Sequence, residues 1–274
     1  MLKNSKRFLK KLVPPLVLEV ARPKDKKYGF FGNYQSWSDA CQHSYGYNSD
    51  VILNKVKDAL LQVKEGKAAY ERDSVLFNEI HYSFPVLAGL LRVAVENDGR
   101  LSVLDFGGSL GSSYYQNKQF LPKLKEFRWS IVEQEKFVAC GRKFFEDGCL
   151  KFFDNIDACL QSEKPDILLV SSVIQYLEHP YFFLEDIISR RLKYIIIDIT
   201  AFFNDISAMD QLTVQIVPPY IYEASYPAWI FNLNKFLSCF FGQYEMLANF
   251  NSLESVELKK ISAELKGFIF RRID

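Results

Sequence analysis

The stretch 103–111 constrains the fold of this chain more than any other part of its sequence. It reads VLDFGGSLG, an apolar run that leads into the acid Asp105 and then into three glycines within five positions. Glycine adopts backbone conformations closed to other residues, and it lets a ligand approach the main chain. This order of residues predicts a buried strand, a tight turn, and a helix whose N-terminus lies near a bound ligand.

Short apolar segments alternate with helical patterns from Arg100 onward. The predicted strands cover 101–105, 129–132, 150–153, 167–171 and 194–199, and the predicted helices 112–125, 136–145, 156–160 and 180–189. Apolar strands joined by helices are typical of a parallel sheet that is covered on both faces. Two further strands, 246–250 and 267–271, have only a short connection, which predicts an antiparallel C-terminal edge. We therefore expect an α/β fold with a Rossmann-like, mostly parallel sheet.

Composition divides the chain into three parts. Residues 1–27 form a basic N-terminal arm, 28–98 hold an aromatic loop and a helical cap, and 99–274 form the Rossmann-like domain. Glycine, tyrosine and tryptophan in 28–49 predict an irregular loop with aromatic anchors. Helical spacing then predicts three helices, over 49–65, 68–80 and 84–96. Residues 201–240 break the strand–helix alternation and are rich in aromatic residues, which predicts an insertion.

Composition also narrows the function classes. A formal net charge of +1 gives no general attraction to nucleic acid. The five cysteines form no C-x-x-C pair and the three histidines are scattered, so we expect reduced thiols and no metal site. No apolar run reaches the roughly 20 residues of a membrane span, which favours a cytoplasmic protein. The basic arm is either a docking segment at the inner face of an anionic membrane or an ordinary solvated terminus.

Polar side chains stand where the predicted parallel strands end. In such a sheet, ligands bind beyond the carboxyl ends of the strands, where the strand order reverses. The candidates in chain order are Asp105, Gly107, Gly108, Gly111, Glu133, Asp154, Asn155, Ser171, Ser172, Asp198 and Thr200. Glu133 follows the glycine turn at the distance typical of an acid that accepts hydrogen bonds from ribose hydroxyls. The sequence therefore predicts a nucleoside-type ligand at this edge of the sheet.

Three segments carry a resemblance to class I S-adenosylmethionine-dependent methyltransferases. Residues 103–111 resemble their first motif, 130–133 their second and 165–177 their fourth. The resemblance covers about residues 85–272 and departs at Ser109, where the pattern often has glycine. It implies S-adenosylmethionine as the cofactor. The amino acid moiety of the cofactor would lie near Asp105, and the cofactor would pass close to Gly107, Gly108 and Gly111. Its ribose hydroxyls would bind Glu133 and its adenine would lie near Asp154 and Asn155. Ser171 and Ser172 would face its methionine end.

A narrower resemblance concerns the acceptor of the methyl group. Residues 28–37 and 211–229 resemble a methyltransferase family associated with bacterial surface polysaccharide loci. That resemblance implies a setting in surface polysaccharide biosynthesis, in which we expect O-methylation of a sugar or glycan-related acceptor. The aromatic insertion then either roofs the acceptor pocket, packs on the sheet, or forms a dimer contact. The sequence does not distinguish O-methylation from N-methylation, and it does not determine the oligomeric state.

Methyl transfer is an in-line displacement, so the enzyme must align the acceptor and exclude water. A hydroxyl acceptor also needs a base or a hydrogen-bond acceptor. The catalytic candidates are His179 and Asp198, and Asp210 and His43 are further ones.

Two other functions compete with methyl transfer. An NAD-dependent sugar-modifying Rossmann enzyme is suggested by Tyr114 and Lys118, a Tyr-x-x-x-Lys pair, although the pair lies in the helix directly after the glycine turn and should point away from a nicotinamide. A non-catalytic nucleoside-binding protein is the second alternative, because a fold does not determine its function.

Overall fold

Residues 27–45, 49–252 and 262–273 are described by the computed structural model of the chain. Its strands are, in chain order, β1 (Gly29–Tyr34), β2 (Tyr70–Arg72), β3 (Val75–Phe77), β4 (Arg100–Phe106), β5 (Glu126–Val132), β6 (Leu150–Phe153), β7 (Ile167–Ser171), β8 (Tyr194–Phe203), β9 (Gln211–Ile216), β10 (Ser225–Ile230), β11 (Tyr244–Asn251) and β12 (Ala263–Arg272). Its helices are α1 (Trp37–Gln42), α2 (Ser49–Lys64), α3 (Phe84–Glu96), α4 (Ser112–Asn117), α5 (Glu135–Phe144), α6 (Ile156–Glu163), α7 (Pro180–Ser189) and α8 (Leu233–Ser238), with short 3-10 turns at Lys118–Phe120 and Ile174–Tyr176. Among these residues no helix reaches the length and hydrophobicity that crossing a bilayer requires. The predicted basic arm lies outside the described residues, apart from Lys27.

Seven strands form the central sheet in the order β11-β12-β8-β7-β4-β5-β6. The five strands β4 to β8 run parallel, whereas β12 is antiparallel to both of its neighbours, β8 and β11. The chain leaves β4 for β5 and β6 on one side and then places β7 on the other, so the strand order reverses beside β4. The predicted fold class is confirmed, with the antiparallel strand β12 inserted between β8 and the edge strand β11.

Consecutive residues of the parallel strands enter two separate cores. Val103 and Leu104 of β4 are both fully buried, Val103 in the core that contains Leu90 of α3 and Leu104 in the core that contains Ile187 of α7. Successive side chains of a strand point to opposite faces, so a continuous apolar strand needs cover on both sides. Each fully buried aliphatic side chain contributes about 1.5–3 kcal/mol, which explains why helices pack on both faces.

A second, antiparallel sheet joins the N-terminal region to the insertion. Its order is β1-β9-β10, and Phe30 of β1 pairs with Gln215 of β9. The expectation of an irregular loop over 28–49 is wrong, because β1 and α1 lie within it. The partner that makes residues 29–34 a strand is supplied by a segment far along the chain, and no local pattern signals such a pairing.

A hairpin replaces one predicted helix. The helix expected over 68–80 is wrong, since β2 and β3 pair across a turn formed by Asp73 and Ser74. Both turn residues have positive φ, +50° and +66°, as a two-residue hairpin turn of the primed type requires. Neither is glycine or asparagine, so the usual hairpin signal is absent. The neighbouring helical predictions are confirmed by α2 and α3.

Candidate functional site

A cavity of about 890 Å³ lies where the parallel strands β4, β5, β6 and β7 end, next to Asp198 within β8. Nine of the predicted site residues line it: Asp105, Gly107, Gly108, Glu133, Asp154, Asn155, Ser171, Ser172 and Asp198. Gly111 and His179 do not line this cavity. The structure therefore brings together polar groups from four strand ends and from Asp198 of β8 at the point where the strand order reverses, as expected for a ligand site in a sheet of this kind.

The glycine turn packs directly against its surroundings. A side chain at Gly108 would place its Cβ 2.5 Å from Asp105 Oδ2, and one at Gly107 would place its Cβ 2.5 Å from Val173 Cγ2. The N–H of Gly107 donates to the Val132 carbonyl at 2.9 Å, which ties the turn to the end of β5. Contacts this short leave no room for any other residue type at either position without movement of the neighbours.

Two further turn residues shape the backbone. Ser109 has a φ of +54°, a left-handed conformation that costs a non-glycine residue about 1 kcal/mol. This explains why the resembling motif often has glycine at that position. Gly111 has a φ of +112°, precedes the first residue of α4, and donates its N–H to the Gly108 carbonyl at 3.0 Å. Gly111 thus shapes the turn without entering the cavity wall.

Asp105 is a buried carboxyl beneath this turn. Its side chain is 1% exposed, and Trp129 Nε1 donates a hydrogen bond to its Oδ2 at 3.0 Å. Burial raises the pKa of Asp105 to about 7, with the Trp129 hydrogen bond opposing the rise and the negative charge of Glu133 adding to it. A cation placed beside Asp105 would relieve both effects, because it stabilises the ionised carboxylate.

Glu133 is held at the end of β5 by backbone groups. The N–H of Gln134 donates to Glu133 Oε2 at 2.7 Å. Burial raises the pKa of Glu133, and backbone hydrogen bonds from Gln134 and Ser109 oppose that rise. A carboxylate has about four acceptor sites on its two oxygens, so Glu133 retains capacity for a donor from a ligand.

The third strand end combines a capped helix with an ion pair. Asn155 caps α6, and its side chain accepts the N–H of Ala158 at 2.8 Å. Asp154 accepts a hydrogen bond from Arg142 Nη2 at 3.0 Å. Because Asn155 Oδ1 serves the helix, a ligand would meet mainly the backbone, the Asn155 amide group and the neighbouring Asp154.

Asp198 is engaged by the protein itself. It is 3% exposed and accepts hydrogen bonds from the hydroxyls of Ser83 and Ser252, at 3.2 and 2.7 Å, and from the N–H of Ile199 at 2.8 Å. Burial raises its pKa, and these hydrogen bonds oppose the rise. Ser172, with a φ of +58°, donates its N–H to the Asp198 carbonyl at 3.0 Å. Asp198 therefore joins β7, β8 and α3 rather than presenting an uncommitted base.

His179 lines a different cavity, of about 1020 Å³, together with Asp210. It directly precedes α7, and the 3-10 turn Ile174–Tyr176 separates it from the end of β7. Asp210 is occupied by hydrogen bonds from Tyr181 Oη at 2.9 Å and Lys235 Nζ at 2.6 Å. His43, on the exposed side of α1, contacts Asp39. The structure thus places three of the four candidate bases outside the cavity that holds the glycine turn.

The hairpin contributes residues that the sequence interpretation missed. Glu71 is fully buried and accepts hydrogen bonds from Ser112 Oγ and from the N–H of Ser74. Burial raises the pKa of Glu71 to about 7. Since Ser112 begins α4, Glu71 connects the hairpin to the helix that follows the glycine turn. The next two residues, Arg72 and Asp73, line the cavity.

Aromatic side chains contribute much of the cavity wall. The cavity is lined by Phe30, Trp37, Tyr70, Phe106, Phe137, Tyr176, Tyr222 and Tyr226. The rings of Tyr176 and Tyr226 meet edge to face at 5.2 Å, and Tyr176 Oη donates to Gln215 Oε1 at 2.8 Å. The hydroxyls of Tyr222 and Tyr226 lie 3.4 Å apart. The insertion thus contributes directly to the wall.

Comparisons with solved structures found distant similarities. The chain is similar to the 1,6-didemethyltoxoflavin-N1-methyltransferase of Burkholderia thailandensis, solved with 1,6-didemethyltoxoflavin and S-adenosylhomocysteine, at 10% identity over 92% of this chain and 99% of that one, with a TM-score of 0.46. It is similar to the N-terminal domain of EvdMO1, solved in the presence of S-adenosylhomocysteine and D-fucose, at 12% identity over 75% and 90% of the two chains, with a TM-score of 0.45. It is also similar to magnesium protoporphyrin IX methyltransferase from Synechocystis PCC 6803, solved with bound S-adenosylmethionine, at 13% identity over 69% and 77%, with a TM-score of 0.44.

No protein-family model matches the chain, and no curated protein matches it. None of the distant likenesses assigns a role to a residue of this chain. The roles proposed below therefore depend on the cavity and on the side chains in its wall.

Proposed function

We propose that this chain is an S-adenosylmethionine-dependent methyltransferase. The observation that carries the proposal is the charge of the cavity at the glycine turn. Six carboxylates line it (Asp73, Asp105, Glu133, Asp154, Asp157 and Asp198), against two arginines (Arg72 and Arg190) and, among the described residues, no lysine. Such a wall attracts a cation and repels a pyrophosphate. S-adenosylmethionine carries a sulfonium and an ammonium group, whereas a dinucleotide carries two phosphates.

The residues present fit this cofactor. Gly107 and Gly108 line the cavity with backbone that carries no side chain, and Glu133 offers acceptor sites to a ribose diol. Asp105 would hold the ammonium group, directly or through the turn, since a cation there would offset the burial and the charge of Glu133 that raise the pKa of Asp105. Asp154 and Asn155 would lie near the adenine, and Ser171 and Ser172 near the methionine end.

The chemistry supplied by the bound cofactor is an electrophilic methyl group on sulfur. The residues of this chain would orient the acceptor in line with that group and exclude water from it. The cavity wall supports the second task, because Val217 and Tyr222, between β9 and β10, and Tyr226 of β10 line the cavity with apolar and aromatic surface.

The NAD-dependent alternative loses its main support. Tyr114 is buried and points its hydroxyl toward Asp147 at 3.4 Å, and Lys118 Nζ lies 4.2 Å from the ring centroid of Tyr115. Neither residue of the Tyr-x-x-x-Lys pair lines the cavity. The pair is better explained by packing of α4 on β5 than by chemistry on a nicotinamide.

The finer proposal is O-methylation of a sugar or glycan-related acceptor in surface polysaccharide biosynthesis. It is supported by the resemblance of residues 28–37 and 211–229, two segments that pair as β1 and β9 in one sheet. It is also supported by the tyrosine-rich wall, because flat rings suit the apolar faces of sugars.

A methyl-transfer assay tests this function. Wild-type protein would be incubated with S-adenosylmethionine labelled in its methyl group and with a panel of free sugars and methyl glycosides. We expect label in a sugar product that survives alkaline treatment, as a methyl ether does and a methyl ester does not. Binding of S-adenosylmethionine without transfer to any member of a broad panel of sugars, amines and carboxylic acids would favour the non-catalytic nucleoside-binding alternative.

A further inference from the structure

Asp73 differs from every other carboxylate in the cavity wall. Asp105, Glu133, Asp154, Asp157 and Asp198 each accept a hydrogen bond from Trp129, Gln134, Arg142, Arg190 and Ser83, respectively. Among the described residues, none donates a hydrogen bond to the carboxylate of Asp73, which is exposed and lines the cavity. Its acceptor sites are therefore open to a donor from a ligand.

The backbone presents Asp73 in a strained turn. Asp73 and Ser74 both adopt left-handed conformations, with φ of +50° and +66°. Such residues cost about 1 kcal/mol or more each and persist only where the surrounding structure determines them. Glu71 holds the turn in this conformation, since it accepts a hydrogen bond from the N–H of Ser74 and another from Ser112. The hairpin tip is thus anchored to the helix that follows the glycine turn.

Asp73 lies on the aromatic side of the cavity. Burial, then the neighbours Tyr176 and Tyr222, and then the negative charge of Asp73 raise the pKa of Tyr226. Tyr176 belongs to the 3-10 turn that follows β7, and its ring contacts that of Tyr226. Ser74, next to Asp73, donates its hydroxyl to the Ile221 carbonyl at 3.1 Å, so the hairpin tip lies against the segment that precedes Tyr222 and Tyr226. Asp73, Tyr176, Tyr226, Ser171 and Ser172 line the same cavity.

The charges around Asp73 disfavour an anionic ligand. Asp73 is open to solvent inside the cavity, but the protein around it removes part of its solvation and raises its pKa, and the charge of Arg72 opposes the rise. The charge of Arg72 also lowers the pKa values of Glu71 and Asp198. One guanidinium therefore offsets the negative charge of three carboxyl groups only in part. The second arginine of the wall, Arg190, is bound to Asp186 and Asp157. A phosphate would meet excess negative charge here, whereas hydroxyl groups would find an acceptor and flat rings.

We propose that Asp73 accepts the hydrogen bond, and then the proton, of the acceptor hydroxyl that is methylated, and that the part of the acceptor entering the cavity is an uncharged sugar. The proposal rests on the methyltransferase function proposed above. In the step, a lone pair of the acceptor oxygen forms the new O–C bond as the C–S bond breaks. The electron pair of that bond stays on sulfur, which becomes a neutral thioether, and the hydroxyl proton passes to the Asp73 carboxylate.

Asp73→Asn is a suitable test variant. Asparagine tolerates the left-handed conformation at least as well as aspartate, so the hairpin should keep its turn while the base is removed. Asp58→Asn, on the exposed side of α2, is the matched control because it makes the same chemical change outside the cavity.

The first experiment measures binding by calorimetry and saturation-transfer NMR. The three proteins would be loaded with S-adenosylhomocysteine and titrated with methyl glycosides of hexoses and 6-deoxyhexoses, and with hexose 1-phosphates. We expect a methyl glycoside to bind wild type and Asp58→Asn, at least tenfold weaker binding by Asp73→Asn, and weaker binding of the phosphates. Affinity for S-adenosylhomocysteine should agree within about twofold among all three.

The second experiment measures turnover of the bound glycoside. The Asp73→Asn variant should lose about 10²–10⁴-fold in kcat, the usual contribution of a positioned base. It should also lose the rise of kcat with pH that the proposal predicts for wild type. Tighter binding of the phosphates, no binding of any glycoside, or unchanged binding and pH profile in Asp73→Asn would each overturn this proposal. Absence of S-adenosylhomocysteine binding by wild type would instead overturn the methyltransferase function.

Discussion

At the scale of single residues, Glu133 and Asp105 are the pair proposed to hold the cofactor. They lie close enough that the negative charge of Glu133 adds to the rise in the pKa of Asp105. Two carboxylates so placed stabilise a ligand that brings a positive charge and hydroxyl donors between them. Both residues were predicted from their positions at strand ends, because an acid after a buried strand is visible in sequence. The hydrogen bond from Trp129 to Asp105 was not predicted, since the two residues belong to neighbouring strands.

Replacing Glu133 with alanine should weaken binding of S-adenosylmethionine by about 1.5–3 kcal/mol, the scale of hydrogen bonds to a charged group. The reason is the loss of the carboxylate proposed to accept the ribose hydroxyls. Calorimetry measures the change, and Glu135→Ala, an exposed acid two residues away, should bind like wild type. Equal affinities of the two folded variants for S-adenosylmethionine would show that Glu133 does not bind the cofactor.

Replacing Gly108 with alanine tests the close packing of the turn. The new Cβ would lie 2.5 Å from Asp105 Oδ2, so the carboxyl or the loop must move. We expect at least tenfold weaker binding of S-adenosylhomocysteine and a loss of stability of about 1–3 kcal/mol. Gly148→Ala is the matched control, because a Cβ added at Gly148 would meet no neighbouring atom within 4 Å. A Gly108→Ala variant that matches this control in affinity and melting temperature would contradict the geometry of the turn.

The hairpin is the element that sequence patterns identified least well. Residues 68–80 carry apolar side chains at a spacing that suits a helix, whereas β2 and β3 form because Asp73 and Ser74 adopt a turn usually formed by asparagine and glycine. Glu71 completes the element through contacts with α4, which no local pattern reveals. The parallel strands were identified correctly because runs such as 194–199 are apolar and β-branched over their whole length.

Replacing Glu71 with glutamine should change how stability depends on pH. The folded pKa of Glu71 is about 7, above its usual value of 4.5, so folding takes up a proton between these values and wild type loses stability as the pH rises through that window. Glutamine cannot ionise and keeps a hydrogen-bonding side chain. The free energy of unfolding of the variant, relative to that of wild type, should therefore increase by up to about 3 kcal/mol between pH 5 and 8.

Urea unfolding at pH 5 and pH 8 measures this effect. Glu135→Gln, which makes the same change on an exposed side chain, should track wild type at both pH values. A Glu71→Gln variant that loses as much stability as wild type between pH 5 and 8 would show that Glu71 is already ionised in the folded protein.

At the scale of the whole molecule, two distant segments complete the site. The parallel core and its glycine turn follow from the alternation of strands and helices along residues 100–200. The aromatic wall depends instead on β1 pairing with β9 and on the hairpin docking against α4. These contacts join parts of the chain separated by tens to nearly two hundred residues. Periodicity and spacing therefore predict the elements but not the tertiary contacts between them. This is also why sequence spacing pointed to His179, which lines the other cavity, and not to Asp73, which lines the cavity at the glycine turn.

The acidic cavity as a whole distinguishes the two cofactor classes. Titration of the wild-type protein with S-adenosylmethionine and, separately, with NAD by calorimetry at pH 7.5 tests this claim most directly. We predict saturable one-to-one binding of S-adenosylmethionine and no measurable heat from NAD at the same concentration. Saturable binding of NAD with no heat from S-adenosylmethionine would contradict the proposed function.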